Sequence, residues 1–208
     1  MRLIVPKVYP ITDTRLSGLT HAEQVIQLIE GGATLVQLRE KHAAPRDFYR
    51  ETAAALKIAR SHTVSLIIND RVDLALASQA DGVHLGQTDL SPDAARKLLG
   101  PQAIIGFSTH NIEQVRFAIK EPIDYIAFGP IFETSTKERP DATTGLEALR
   151  AVRQLTVLPL VAIGGITPAN AGSVIEAGAD SVATISGLLQ EPSSITKIFR
   201  QMVAIVGN

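Results

Sequence analysis

The sequence predicts an α/β fold, a single-domain (β/α)8 TIM barrel, and three observations support that prediction. A short run of β-branched residues, then Gly, Asp, Asn or Thr, then a helical pattern, recurs from one end of the chain to the other. Strands that alternate with helices indicate a parallel sheet joined by right-handed crossovers. The 208 residues suffice for one compact domain and meet the lower limit of roughly 200 residues for eight such units.

The predicted strands and helices alternate along the chain. The eight strands are Lys7–Asp13, Thr34–Glu40, Val64–Asp70, Gly82–Gly86, Ile104–Thr109, Tyr125–Gly129, Pro159–Gly165 and Ser181–Gly187. The eight helices are His21–Glu30, Arg46–Ser61, Asp73–Ser78, Ser91–Leu99, Asn111–Lys120, Leu146–Leu155, Thr167–Ala177 and Ser193–Val203.

Local residue choices support several helix ends. Ser91 and Thr167 each stand before a proline, which is the signal of an N-cap followed by the first helical position. Gly31 and Gly178 stand where helix ends need a left-handed residue. The helix boundaries therefore agree with the alternation of strands and helices.

An open, doubly wound sheet is the other architecture for alternating elements. No Gly-rich dinucleotide fingerprint follows the first strand, where Asp-Thr-Arg stands at residues 13–15, so the barrel is preferred. One connection, from Pro130 to Gly145, is unusually long for a compact domain. Loops of that length commonly carry function or lack order.

Composition excludes several classes of partner. With 20 basic and 21 acidic residues, the chain has no electrostatic reason to bind nucleic acid or an anionic membrane. Cysteine is absent, so neither a disulfide nor a thiolate metal site can form. The apolar runs are too short for a signal peptide or for the roughly 20 residues of a membrane helix, and we expect a cytoplasmic location.

Polar residues at the carboxyl ends of the strands are the candidate site residues, because barrel enzymes have their active sites there. Gln37, Arg39 and Lys41 alternate with Val36 and Leu38, so the polar set shares one face of the second strand. An amide and two cations that converge at the barrel mouth suit a diphosphate. The alternative is a structural ion pair between one of these cations and a neighbouring carboxylate.

Two carboxylates follow adjacent strands. Asp70 follows the third strand, beside Asn69, and Asp89 follows the fourth. Such a pair can hold one Mg²⁺, which prefers oxygen ligands and keeps waters and substrate phosphates in its shell. Either carboxylate can instead cap the helix that follows it.

Hydroxyl and imidazole groups follow the fifth strand. Ser108 can donate to a substrate oxygen or can cap the next helix. His110 invites an acid–base role, but no partner for it is identified in the sequence, and a structural role is expected. His84, inside the fourth strand, is expected in the core.

The remaining candidates lie in the long connection and after the last two strands. Thr134, Ser135, Thr136 and Lys137 indicate either a loop that closes over substrate or a solvated loop. Barrels often bind phosphate after strands seven and eight through backbone N–H groups, which here places it near Gly165 and near Ile185 and Ser186. Tight packing is the other explanation for the Gly-Gly pair. Together the candidates predict two anion-binding ends in one site.

Motifs spread over nearly the whole chain resemble the thiamine-phosphate synthase family. The most specific are Gln-Leu-Arg-Glu-Lys at residues 37–41 and Gly-Pro-Ile-Phe-Glu-Thr-Ser-Thr-Lys at residues 129–137. The others fall in order at residues 9–13, 69–70, 82–89, 108–110, 162–166 and 185–186. Two positions depart mildly from the family pattern, Ser181 and Thr184, where glycine and a plain aliphatic residue are expected.

The resemblance implies a transferase of thiamine biosynthesis that joins a pyrimidine diphosphate to a thiazole phosphate. The pyrimidine diphosphate ligands would be Gln37, Arg39, Lys41, Asn69, Ser108 and Lys137, the last two also catalytic. The thiazole phosphate ligands would be Thr134, Ser135, Thr136, Gly165, Ile185 and Ser186. Asp70 and Asp89 would bind Mg²⁺, one ion per subunit. The substrates are small molecules, and a homodimer is left open.

Three other functions are weighed against this one. A thiazole tautomerase on the same fold needs an acid–base group, and a His is expected directly after Gly129, where this chain has Pro130. A non-catalytic sensor of phosphorylated ligands would need neither Asp70 nor Asp89. A sugar-phosphate isomerase would need Glu133 as its base, and nothing in the sequence places that residue against a substrate carbon.

Overall fold

Eight parallel strands close in chain order into a barrel, in which the first strand pairs with both the second and the eighth. The computed structural model describes residues 4–134 and 142–207. The strands are β1 Val8–Thr12, β2 Leu35–Leu38, β3 Ser65–Asn69, β4 Gly82–Leu85, β5 Ile104–Thr109, β6 Tyr125–Phe128, β7 Leu160–Ile163 and β8 Ser181–Thr184. The predicted barrel is confirmed and the open sheet is excluded.

Helices cover the outside of the barrel. They are α1 Thr14–Ser17, α2 His21–Gly31, α3 Pro45–Ser61, α4 Val72–Ser78, α5 Pro92–Leu99, α6 Ile112–Ala118, α7 Gly145–Leu155, α8 Ala171–Glu176, α9 Ser186–Leu189 and α10 Ile195–Val206, with a 3-10 turn at Pro192–Ser194. The predicted helices are present. The additional α1 and α9 have only four residues each, too few to show a helical period. Across residues 4–134 and 142–207, none is long and apolar enough to cross a membrane.

Two predicted boundaries near the end of the chain are wrong. The last strand ends at Thr184, and Ser186 already begins α9. The helix after β7 begins at Ala171 because the side chain of Asn170 accepts from the N–H of Thr167 and holds residues 167–170 in a turn. The Thr-Pro pair at residues 167–168 therefore starts a turn that precedes the helix.

The helix ends agree with the sequence at two of the four predicted positions, Thr167 being one of the two that differ. Ser91 accepts from the N–H of Ala94 and caps α5 as predicted. Gly178 has a φ of 104°, the predicted left-handed conformation. Gly31 is wrong by one residue, because it ends α2 and the left-handed C-cap is Gly32.

Side chains of each strand alternate between two apolar layers. Val36 and Leu38 on β2 pack outward in the cluster between sheet and helices. Leu35 packs inward, in a separate cluster inside the barrel that also contains Tyr9 and Ile67. The predicted alternation of β2 is thus confirmed, and the inner cluster forms the floor beneath the mouth.

Three aspartates tie the strands together at the amino-terminal rim, opposite the mouth. Asp81, Asp124 and Asp180 each stand directly before an even-numbered strand. Each accepts a hydrogen bond of 2.7–2.8 Å from a backbone N–H of the preceding odd-numbered strand. This contact satisfies the backbone N–H of a buried residue at the start of each odd-numbered strand.

Arginines from the preceding helices reinforce two of these three contacts. Arg96 on α5 donates to Asp124 at 2.7 Å and to the carbonyl oxygen of Ala103 at 2.5 Å. Arg153 on α7 makes the equivalent bond to Asp180 at 2.7 Å. Among the residues that the structure describes, Asp81 makes its strand contact without an arginine. We call each of the three aspartates with its strand N–H, together with the Arg where one is present, a rim clamp.

Removal of a rim clamp should lower the stability of the fold without changing the structure at the mouth of the barrel. Asp124→Ala leaves the N–H of Ile105 without its acceptor and the guanidinium of Arg96 without its carboxylate partner, so the free energy of unfolding should fall by about 2 kcal/mol. Urea denaturation measures this. Asp93→Ala, which removes only an exposed pair with Lys97, should cost less than about 1 kcal/mol. Equal losses in the two variants would contradict the clamp.

Candidate active site

Two adjoining cavities open at the carboxyl ends of the strands. One lies inside the barrel mouth and the other spreads over the ends of β1 to β5. They share five lining residues, Arg39, Asn69, His84, Ser108 and His110. The deeper cavity is largely apolar, and the outer one is lined by charged side chains.

The two cations after β2 form ion pairs. Because β2 ends at Leu38, Arg39 and Lys41 lie just beyond the strand. Arg39 pairs with Asp13 and Lys41 with Asp70. The ion-pair alternative therefore describes the geometry, yet both cations also line the outer cavity.

The two predicted carboxylates lie together and cap no helix. α4 has no side-chain cap, and α5 is capped by Ser91. Asp89 instead accepts from the N–H of Gly86 at 2.6 Å. Burial raises the pKa of the Asp89 carboxyl, and the adjacent charge of Asp70 raises it further.

Two carboxylates this close repel each other unless a cation lies between them. Within residues 4–134 and 142–207, no three His, Cys, Asp or Glu side chains converge on a metal position. Asp70 and Asp89 can therefore hold a cation that takes most of its ligands from water and substrate oxygens. Mg²⁺ has that preference.

Ser108 faces the mouth and caps no helix. Its hydroxyl lies 2.8 Å from Nε2 of His84, while α6 is capped by Asn111. The expected burial of His84 is confirmed, and its side chain also lines both cavities. His110 donates from Nδ1 to the carbonyl oxygen of Gly129 at 2.6 Å, a backbone bond of the kind expected for a structural histidine.

The Gly-Gly pair after β7 packs against the start of the long connection. Gly164 and Gly165 have φ of 103° and 63°. A Cβ added to Gly165 would lie 2.4 Å from the carbonyl oxygen of Glu133. Close packing thus explains these glycines, with the loop rather than a helix as the neighbour.

The predicted phosphate-binding residues line one wall of the deeper cavity. Thr134, Gly165, Ile185 and Ser186 all border it. Ser186 begins α9, and the first N–H groups of a helix have no acceptor within that helix. Ser135, Thr136 and Lys137 lie outside the described residues.

The two departures in β8 affect the packing beneath this wall. The hydroxyl of Thr184 donates to the carbonyl oxygen of Ile166 at 3.2 Å. Ser181 is fully buried, and in residues 4–134 and 142–207 its hydroxyl has no hydrogen-bond partner. Neither side chain displaces a predicted ligand.

Two buried tyrosines inside the barrel escaped the sequence analysis, and one of them, Tyr9, lines the deeper cavity. Tyr9 on β1 is fully buried and receives a hydrogen bond of 3.2 Å from the amide nitrogen of Gln37. Tyr125 on β6 lies 3.0 Å from it, hydroxyl to hydroxyl. The inward position of each in its strand was a signal that could have identified both.

A buried histidine supports the segment that carries the cations. Nδ1 of His21 lies 2.7 Å from the hydroxyl of Thr12, and Nε2 lies 3.9 Å from Glu40. Burial lowers the pKa of His21 from 6.5 to about 4, against the opposing charges of Glu40 and Asp13. Glu40 also accepts from the hydroxyl of Thr14 at 2.7 Å, which ties the end of β2 to α1.

A closed (β/α)8 barrel whose mouth combines cations, paired carboxylates and a glycine-lined wall defines an enzyme that acts on phosphorylated small molecules. Comparison with known proteins makes this class specific. The model of a family described as thiamine monophosphate synthase matches residues 8–188. The chain belongs to the thiamine-phosphate synthase family.

Individual relatives agree with this assignment. The thiamine-phosphate synthase of Koribacter versatilis is 48% identical and covers 97% of each chain. That of Chloroflexus aurantiacus is 44% identical over 96% of this chain and 92% of its own. The structure of thiamine phosphate pyrophosphorylase from Pyrococcus furiosus superposes with a TM-score of 0.87 at 36% identity, over 97% of this chain and 95% of that one.

The depressed pKa of His21 predicts a loss of stability in mild acid. Between pH 6.5 and about 4, the unfolded chain takes up a proton on His21 that the folded chain does not. The free energy of unfolding should therefore fall as the pH falls through this window, by at most ~3 kcal/mol from this group. His21→Gln should flatten the profile, measured by urea denaturation at each pH, and His62→Gln on the surface should not. Parallel profiles for wild type and His21→Gln would contradict the assignment.

Proposed function

We propose that this chain couples 4-amino-2-methyl-5-hydroxymethylpyrimidine diphosphate with thiazole phosphate to give thiamine phosphate and diphosphate. The acceptor is hydroxyethylthiazole phosphate or its carboxylated tautomer, and with the latter the carboxylate leaves as CO₂. One observation carries the proposal: Arg39, Lys41, Asp70, Asp89 and Ser108 border one cavity that adjoins an apolar chamber in the barrel mouth. Family membership supplies the identity of the reaction.

The outer cavity suits the diphosphate. Arg39 and Lys41 bring two cations, and Ser108 brings a hydroxyl, to the side of the mouth where Asp70 and Asp89 lie. These carboxylates would hold one Mg²⁺, which supplies positive charge to the leaving diphosphate when bound. Lys137, from the long connection, is proposed to complete the set.

The deeper cavity suits the pyrimidine ring and the thiazole phosphate. Gln37 and Asn69 offer amides at its edge, and apolar residues such as Ile11 and Ile163 line its wall and exclude water. The thiazole phosphate is proposed to bind at Gly165, Ile185 and Ser186 through backbone N–H groups, with Thr134, Ser135 and Thr136 beside it.

The chemistry asks the protein to stabilise charge rather than to supply a nucleophile. The bond between the pyrimidine methylene and the diphosphate oxygen breaks, and its electron pair leaves with the oxygen. The ring amino group stabilises the resulting cation until the thiazole nitrogen attacks and forms the C–N bond. Donors preorganised around the departing oxygen account for most of the acceleration.

A cytoplasmic location is part of the proposal, since a cysteine-free chain draws no benefit from an oxidising compartment.

Direct assay of thiamine phosphate tests the function. The purified chain, incubated with both substrates and Mg²⁺, should form thiamine phosphate, and a chelator should abolish the product. Binding of thiazole phosphate without product and without dependence on Mg²⁺ would instead support the sensor, and would refute the proposal.

Substitutions at the diphosphate end test the roles of single residues. Asp70→Ala and Lys137→Ala should each lower turnover ~10²-fold or more, because the first removes a proposed ligand of Mg²⁺ and the second removes a cation beside the departing group. Asp73→Ala is the matched control for Asp70, since Asp73 pairs with Arg71 near the same strand end, and it should keep nearly full turnover. Undiminished turnover in Asp70→Ala or Lys137→Ala would show that its assigned role is wrong.

A further inference from the structure

A continuous chain of hydrogen bonds crosses the inside of the barrel from β2 to β5. The amide nitrogen of Gln37 lies 3.2 Å from the hydroxyl of Tyr9, which lies 3.0 Å from the hydroxyl of Tyr125. That hydroxyl lies 2.9 Å from Nδ1 of His84, whose Nε2 lies 2.8 Å from the hydroxyl of Ser108. The chain thus links a proposed pyrimidine ligand to a proposed diphosphate ligand.

A glycine makes room for the centre of this chain. Gly106 on β5 is the register partner of both His84 on β4 and Tyr125 on β6. A Cβ at Gly106 would lie 2.0 Å from the Tyr125 ring and 2.5 Å from Nδ1 of His84. The two side chains therefore meet above a position that only glycine can occupy.

The donors and acceptors give the chain one direction. A side-chain amide nitrogen can only donate, so the hydroxyl of Tyr9 accepts from Gln37. Within residues 4–134 and 142–207, the acceptor within reach of the hydrogen on Tyr9 is the hydroxyl of Tyr125, so we assign Tyr9 as the donor to Tyr125. Tyr125 in turn donates to Nδ1 of His84. Burial raises the pKa of both tyrosines, so each keeps the hydrogen that it passes on.

The direction fixes the form of the histidine. A neutral imidazole that accepts at Nδ1 carries its hydrogen on Nε2 and donates it to Ser108. The hydroxyl of Ser108 then has its own hydrogen available to the cavity. If the direction of donation were reversed, Ser108 would donate its hydroxyl hydrogen to Nε2 of His84. Only the oxygen lone pairs of Ser108 would then face an anionic diphosphate.

We propose that Tyr9 and Tyr125 are positioning residues that act through His84 to set Ser108 as a hydrogen-bond donor to the departing diphosphate. This inference rests on the proposed function, because the acceptor is the leaving group of that reaction. The tyrosines fix the direction of hydrogen-bond donation along the chain. Without them, the imidazole of His84 could carry its hydrogen on either nitrogen, and the hydroxyl of Ser108 would not be held as a donor. A fully bonded polar chain is also the condition under which such groups can be buried in a core.

The form of His84 is measurable in the resting protein, apart from any activity. Long-range ¹H–¹⁵N spectra of protein labelled at histidine separate the two neutral imidazole forms, and His84→Asn assigns the signal among the five histidines. We expect hydrogen on Nε2 in the wild type and loss of that fixed form in Tyr125→Phe. Hydrogen on Nδ1 in the wild type would overturn the inference.

Kinetics test the effect on the reaction. Tyr125→Phe and Tyr9→Phe should each lower kcat about tenfold or more, as loss of an orienting partner commonly does. KM for the pyrimidine diphosphate should change less than about threefold, because the lost interaction belongs to the transition state. Tyr49 is the one tyrosine of the sequence outside this chain of hydrogen bonds, and it lies exposed on α3. Tyr49→Phe should therefore match the wild type. Wild-type kcat in both barrel variants would also overturn the inference.

Failure of the proposed function and failure of the positioning role give different results. A wild-type chain that forms no thiamine phosphate refutes the proposed function, and with it the role assigned to Ser108. An active wild type whose Tyr125→Phe and Tyr9→Phe variants are equally active refutes only the positioning role. Circular dichroism on each variant identifies any loss of activity that comes from unfolding, and the two substitutions at separate strands guard against a single misfolded variant.

Discussion

The closure of eight short parallel strands into a barrel is the constraint on which the rest of the structure depends. Closure directs every second side chain of each strand into a narrow interior that must be filled. Near the amino-terminal rim, Leu35 fills it with an apolar group. Towards the mouth the same inward positions hold Gln37 and His84, so a core position becomes a site position within one or two residues.

The ends of the strands decide which charges can reach a ligand. β2 stops at Leu38, and the next residues are free of the sheet and project cations over the outer cavity. Arg39 and Asp13 are only 13% and 15% exposed, so each needs an opposite charge nearby. The site is therefore electrically balanced within the protein, and an anionic ligand competes with the carboxylates of Asp13 and Asp70 for the same cations.

Local patterns in the sequence predicted the strands, the helices and the inward face of Gln37, because each depends on residues close together in the chain. They could not decide between a metal ligand and a cap for Asp70 or Asp89, since that choice depends on which residue begins the next helix. The hydrogen bond between Tyr9 and Tyr125 joins residues 116 positions apart. The periodicity of a single strand or helix carries no information about a contact of that range. The short helix α9 was read as the end of a strand for a related reason, because four residues do not distinguish a turn of helix from an extended run.

The rim clamps divide most of the barrel into units of two strands. One unit runs from β3 to β4, the next from α5 to β6 and the third from α7 to β8, each held by its own aspartate. The joints between these units fall in the mouth, between β4 and α5 and between β6 and α7. The long connection from Pro130 to Gly145 occupies the second joint, so insertions or deletions there leave every clamp whole. Loop length and barrel integrity are thereby decoupled, and the catalytic rim can change while the opposite rim preserves the scaffold.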